Sequence, residues 1–327
     1  MIGVPASAQV VLDARRHHLG IAGQPEWDEF AADEPEGRAL ELRFDGRSND
    51  REATLLVRQR DVKLDWPVRL NGRVVGRLVP MEAALGHALP LPPGTLRNGE
   101  NTLVIGPAPQ ADDVIIDEVA LDPRPTREAL GRSTLHVVVT DAVTGIGLPC
   151  RITVVDWRGA LAGLTIDPEA KLVARPGVIY TPNGRARLGL PPGDYTVHAT
   201  RGFEYGLDSA AVTLSEGQTR QVALKIHREV PTPGLVACDT HVHTLTYSGH
   251  GDATIDERAV TLAGEGIELP VATDHNHLTT DLGAAADRMG VRADFTPVIG
   301  DEVTTRVGHF NAFPFPPGAP PPDPKPT

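Results

Sequence analysis

Cysteine is scarce in this 327-residue chain: only Cys150 and Cys238 occur, too few for a disulfide framework. No run of eighteen apolar residues exists, which excludes a membrane-spanning helix. The leading stretch, Met1 to Ala14, lacks a basic region followed by an apolar core. The chain as given is therefore expected to carry no secretory signal and to be cytoplasmic. Positive charge is in deficit, with 31 Lys and Arg against 43 Asp and Glu and a net charge of −12. That balance argues against nucleic acid or an anionic membrane as a general partner. There is no GxSxG elbow, no Walker phosphate loop and no CxxC pair. With 40% hydrophobic and 23% charged residues, the composition is that of a globular protein with room for two or three domains.

What the chain does have is histidine in one place. Six of its twelve histidines lie between His241 and His309, among the carboxylates Asp239, Asp252, Asp274 and Glu302. Imidazole and carboxylate together suit divalent transition metals. Leu235 to Cys238 is a short apolar run after Pro233-Gly234, as at the start of a buried strand, and it leads into Asp239-Thr240-His241-Val242-His243. Alternate strand residues share a face, so His241 and His243 are expected to point the same way. A second apolar run, Ile267 to Thr273, delivers Asp274-His275, and a third, Phe295 to Ile299, delivers Asp301-Glu302. Between the runs, Thr254 to Gly266 and Thr280 to Met289 have helical spacing, the latter capped by Thr280 or Asp281. Strand, helix, strand, helix, strand predicts parallel pairing with ligands at the carboxyl ends.

These motifs, His241-Val-His243, Thr273-Asp274-His275, Gly300-Asp-Glu302 and Gly308-His309, resemble those of the polymerase and histidinol phosphatase (PHP) metallohydrolases. Ala272-Thr-Asp-His-Asn276 and Gly308-His-Phe-Asn-Ala-Phe313 are most similar to the carbaryl-hydrolase-like branch. The resemblance covers roughly residues 233–315 and implies a distorted β/α barrel with two or three divalent ions. Zinc, manganese and iron all fit the mixed nitrogen and oxygen donors. His241 and His243 would hold one ion, Glu302 would bridge two, and His275 and His309 would serve the second or a neighbouring one. Family members usually carry an acidic residue after the first histidine pair. Here Tyr247 to Asp252 offers both His250 and Asp252, and Asp252 is the favoured ligand. Such ions make hydroxide available at neutral pH for attack on phosphorus or carbonyl. Asp274 would fix His275 or accept a proton, and Arg306 would meet an anionic group of a small-molecule substrate. The superfamily implies phosphoester hydrolysis, the closer branch carbamate, ester or amide hydrolysis.

Two all-β units precede this segment. In residues 1–125, alternation in Ala39 to Phe44 and Ala53 to Val57, with turns at Asn71-Gly72 and Asn98 to Asn101, predicts a sandwich. It resembles galactose-binding-like jelly rolls, which implies a carbohydrate contact. Its His17-His18 pair reads as a surface or packing feature. Asp122 to Thr126 reads as a linker. Residues 133–229 predict a second sandwich, similar to carboxypeptidase-regulatory (transthyretin-like) modules, with Gly202 to Tyr205 able to reach the catalytic cleft. Residues 233–327 are then a partial α/β PHP-like domain ending in a proline-rich, extended tail. A β/α barrel takes about 250 residues, whereas 94 follow Pro233. The expectation is a truncated barrel with weakened metal affinity and little activity. The alternative is a carbohydrate-binding or structural protein with an inactive remnant.

Overall fold

A computed structural model describes residues 9–107 and 110–325. The stretch 1–8 and the last two residues of the tail lie outside the described residues. The chain is mostly β, with 43% strand and 10% helix.

In the first unit, strands Val10–Asp13, Val114–Asp122, Ala53–Arg60 and Leu85–Leu91 form one antiparallel sheet, with His17–Leu19 also paired to Val114–Asp122. Leu40–Gly46, Gly99–Ile105, Pro67–Leu70 and Arg73–Arg77 form the other. Alternate residues such as Leu55, Val57, Leu103 and Ile105 point between the sheets and are at most 1% exposed. Asn71 (φ 53°) and Gly72 (φ 80°) make the two-residue hairpin turn that needs two left-handed residues. The turn expected at Asn98 to Asn101 is shorter than the sequence suggested, because Gly99 and Asn101 already belong to a strand. His17 and His18 are buried against Glu36 and Asp113 (2.9 Å each).

The second unit pairs a four-stranded sheet with a five-stranded one. The four-stranded sheet runs Thr165–Ile166, Arg185–Leu190, Ser133–Asp141, Thr219–Ile226, the last two parallel. Cys150 and Ile152 are fully buried between the sheets. The expected linker leads into a one-turn helix, Thr126–Leu130.

The third unit carries the histidines. Strands β1 (Cys238–Val242), β2 (Leu269–Ala272) and β3 (Val298–Ile299) are parallel and lie in sequence order. Helices α1 (Leu245–Ser248) and α2 (Ile255–Gly264) connect β1 to β2, and α3 (Leu282–Met289) connects β2 to β3. A hairpin, β4 (Asp301–Thr305) and β5 (Gly308–Ala312), follows. Helix α2 starts where Thr254 and Glu257 close a capping box. Asp281 precedes α3 without a side-chain cap. The apolar faces of α2 and α3 meet each other and the sheet through Val242, Ala259, Leu262, Ala272, Ala285 and Phe295. Among the described residues three parallel strands do not close a barrel.

The second sandwich braces this unit. Gly264 at the end of α2 is so close to it that a Cβ there would lie 2.7 Å from the Tyr180 ring. Tyr180 donates its hydroxyl to Glu265 (2.5 Å), Arg151 pairs with Glu265 (3.1 Å) and Arg201 with Asp294 (3.3 Å). No helix among the described residues is long and apolar enough to cross a membrane.

Candidate metal centre

The carboxyl ends of β1, β2 and β3 lie side by side, so residues just past each end share one rim. Val242 is buried in the core, which turns its neighbours His241 and His243 outward together. Their Nε2 atoms are 2.9 Å apart. Past β2 comes His275, and past β3 comes Glu302, bridged to His275 through the backbone. Gly300 permits this close approach, because a Cβ there would lie 2.7 Å from Val271 Cγ1 and 2.9 Å from the Ala272 carbonyl oxygen. The β4–β5 hairpin folds His309 back over the same rim, opposite Thr304.

Glu302 is the hub. It is 4% exposed. Its Oε2 lies 3.2 Å from His241 Nε2, 2.9 Å from His243 Nε2 and 3.2 Å from His275 Nδ1. Its Oε1 lies 2.8 Å from His309 Nδ1. A fifth imidazole joins them: His250 Nε2 is 2.8 Å from His275 Nε2. Three overlapping donor triads result: His243, His250, His275; His241, His243, Glu302; and His275, Glu302, His309.

Metal–nitrogen and metal–oxygen bonds of ~2.1 Å imply ligand-to-ligand edges of roughly 3–3.4 Å in a tetrahedron. The separations around Glu302, between 2.8 and 3.2 Å, approach those edges. Protonation runs the same way. Burial alone would push the Glu302 carboxyl up, but hydrogen bonds from His241 and His309 outweigh it and hold the pKa below the usual value. Burial lowers His243, against the pull of Glu302. A charged carboxylate and a neutral imidazole are the forms that ligate metal. The donor set therefore fits divalent cations.

The other expected site residues are placed differently. Asp252 is not part of the cluster. Its side chain is 72% exposed and pairs with Arg175 of the second sandwich at 3.3 Å. His250, flanked by Gly249 (φ 69°) and Gly251 (φ 84°), reaches the cluster instead. Asp274 is fully buried and does not touch the His275 ring. Its carboxylate accepts from Thr244 N (2.7 Å), Ser248 Oγ (2.7 Å) and Thr279 Oγ1 (2.6 Å). Ser248 has one hydroxyl proton, and giving it to Asp274 leaves the oxygen to accept from His243 Nδ1–H at 3.0 Å. Nε2 of His243 is thereby left as the free donor atom. Thr304 Oγ1 meets His275 Nδ1 at 2.8 Å. Sequence reasoning missed Ser248 and Thr304, because a hydroxyl beside a histidine has no spacing signature.

Arg306 is exposed in the β4–β5 turn and holds no carboxylate among the described residues. His277 stacks on Tyr247 (4.1 Å) outside the triads. Phe203, 70% exposed, lines a cleft of about 630 Å3 between the second sandwich and α2, together with Asp239 and Asp252.

No protein-family model matches the chain, and no curated protein does. Solved structures similar in part include a β-(1,4)-mannanase with a carbohydrate-binding module from Podospora anserina, at 17% identity and a TM-score of 0.23. That match covers 38% of this chain and 30% of the mannanase. A carbohydrate-binding domain of a xylanase from the hindgut metagenome of Trinervitermes trinervoides matches at 11% identity and a TM-score of 0.22, over 35% of this chain and 95% of that one. A β-glucuronidase from Bifidobacterium dentium matches at 14% identity and a TM-score of 0.24, over 94% of this chain and 63% of the enzyme.

Proposed function

We propose that the chain's working centre is a divalent-metal hydrolase site in which His241, His243, His250, His275, His309 and Glu302 hold two or three Zn, Mn or Fe ions. The observation that carries this reading is the convergence of four imidazoles on one buried carboxylate at adjacent strand ends, with a fifth, His250, against His275. When bound, such ions supply a Lewis acid and make hydroxide available at neutral pH. The chain's own residues bind and orient. Glu302 offers one oxygen to His241, His243 and His275 and the other to His309, so it links neighbouring positions. Asp274 and Ser248 keep the Nε2 of His243 free, and Thr304 turns the Nε2 of His275 toward His250.

The order of the motifs, similar to that of PHP metallohydrolases, supports hydrolysis of a small phosphoester or of a carbamate, ester or amide. Elemental analysis of the purified chain against the His241→Ala, His243→Ala double variant tests the centre. Zinc, manganese or iron is expected in the wild type and lost from the variant. Slow hydrolysis of a panel of nitrophenyl phosphate, ester and carbamate is expected, in the metal-loaded wild type alone. Equal metal content in both proteins overturns the reading.

A second reading, carbohydrate binding by the first sandwich, is favoured by one feature. Trp27, 52% exposed, lines an open cleft of about 530 Å3 with Glu26, Asp28, Glu29, Asp61 and Glu82. An aromatic face beside hydroxyl acceptors suits a sugar ring. Glycan-array binding that persists in chelator and disappears in Trp27→Ala supports it.

A further inference from the structure

Most arginines of the second sandwich hold carboxylates. Arg151 pairs with Glu265, Arg158 with Glu118, Arg175 with Asp252 and Glu257, Arg201 with Asp294, and Arg228 with Glu204. Arg185, Arg187 and Arg220 pair with no carboxylate among the described residues. Arg185 and Arg187 are both exposed on the strand Arg185–Leu190 and line one groove. Buried Ala186 separates them, so both side chains leave the same outer face of the sheet.

The register extends the feature across three strands. Arg187 stands opposite His136, and Gln221 stands beside His136 on the far side. Lys171, in the segment before Val173–Arg175, lines the same groove and donates its ammonium to the Arg288 carbonyl at the end of α3. Met289 and Gly290 continue that wall. The groove encloses about 560 Å3, and no residue lining it is acidic.

That is an unexpected place for unopposed cations in a chain with a net charge of −12. Alternate strand residues stand ~7 Å apart, and like charges at that distance repel. Among the described residues the fold gains no ion pair from either arginine. A ligand with two anionic groups at the same spacing supplies the missing charge, through the paired donors that a guanidinium offers to carboxylate or phosphate. No Phe, Tyr or Trp lines the groove. Stacking on a base or a sugar ring is therefore not what this surface provides, and single-stranded nucleic acid, which uses such platforms, fits it poorly.

We propose that the groove between the second sandwich and the end of α3 binds a small polyanion, which presents two phosphate or carboxylate groups about 7 Å apart to Arg185 and Arg187, with Lys171 beside them. This site is separate from the histidine centre and does not depend on its chemistry.

Calorimetric titration uses the full chain in low salt, stripped of metal by chelator and then dialysed free of it, which keeps metal-bound anions out of the measurement. Tripolyphosphate and citrate serve as the phosphate and carboxylate probes, and inorganic phosphate as the single-anion control. One or both probes are expected to bind once per chain, at least tenfold more tightly than inorganic phosphate. Binding by one probe alone assigns the anion class. The Arg185→Ala, Arg187→Ala variant is expected to lose this binding while its melting temperature stays near that of the wild type, since both side chains are exposed. The His241→Ala, His243→Ala variant is expected to keep it. No binding of either probe by the wild type, or binding that survives in the double arginine variant, overturns the proposal.

Discussion

Ser248 gives the histidine cluster its orientation. It donates to the buried Asp274 carboxylate and accepts from His243, so it fixes which ring nitrogen of His243 is left for a cation. Ser248→Ala keeps all six candidate ligands but removes that constraint. The expected result is a metal dissociation constant raised roughly 10–100-fold, measured by competition with a chromogenic chelator. An affinity within twofold of the wild type excludes this role. Asp274→Asn is expected to do less, because the amide oxygen still accepts from Thr244 N, which lies 2.7 Å away in the wild type.

At the level of elements, α2 fixes the floor of the rim and its N-terminus is electrostatically tuned. Burial would raise the Glu257 carboxyl, but hydrogen bonds from the Thr254 backbone and Arg175 prevail and lower its pKa from 4.5. A carboxyl lowered by folding stabilises the fold above its unfolded value, and that stability is lost as pH falls through the folded value. Unfolding free energy should therefore decline with acid below about pH 4.5, and Glu257→Gln should flatten that part of the curve. Chemical denaturation at a series of pH values measures it. Equal slopes in the two proteins would exclude the capping box as a source of acid sensitivity. The existence of α2 and the parallel strands around it follow from local spacing, whereas its Thr254 cap appeared only in the structure. Strand β3 is less legible: the run Phe295 to Ile299 suggested a longer strand, and only Val298 and Ile299 pair. Phe295 is spent in the helix core instead, and burial there looks the same in sequence as burial in a strand.

Over the whole molecule, the second sandwich reaches the centre through one side chain. Arg175 donates to the carboxylate and to the carbonyl oxygen of Asp252, and to Glu257 at 3.2 Å. It thereby pins the loop that carries His250 between two left-handed glycines. Arg175→Ala is expected to weaken metal binding only severalfold, less than the roughly 10–100-fold that follows loss of a direct partner of a ligand, because Arg175 acts through the loop and touches no ligand. Partly exposed ion pairs are worth at most about 1 kcal/mol, so stability should hardly change. An equal fall in melting temperature and affinity would mean that the sandwich only supports the fold. Arg175→Lys, with one point charge in place of a fork, should restore affinity in part.

The sequence by itself determined which side chains can chelate and that successive strand tips deliver them, because strand alternation and the run lengths are local properties. It also determined the Asn71-Gly72 hairpin, where backbone sterics leave few alternatives. Tertiary structure alone decided that His250 rather than Asp252 meets the rim, that Asp274 serves His243 through Ser248, and that Arg185 and Arg187 are left without an acid among the described residues. Each of those outcomes depends on partners distant in the chain, such as Arg175 77 positions before Asp252. Contacts of that kind are set by how the sandwich docks on α2, and no spacing within either segment encodes it.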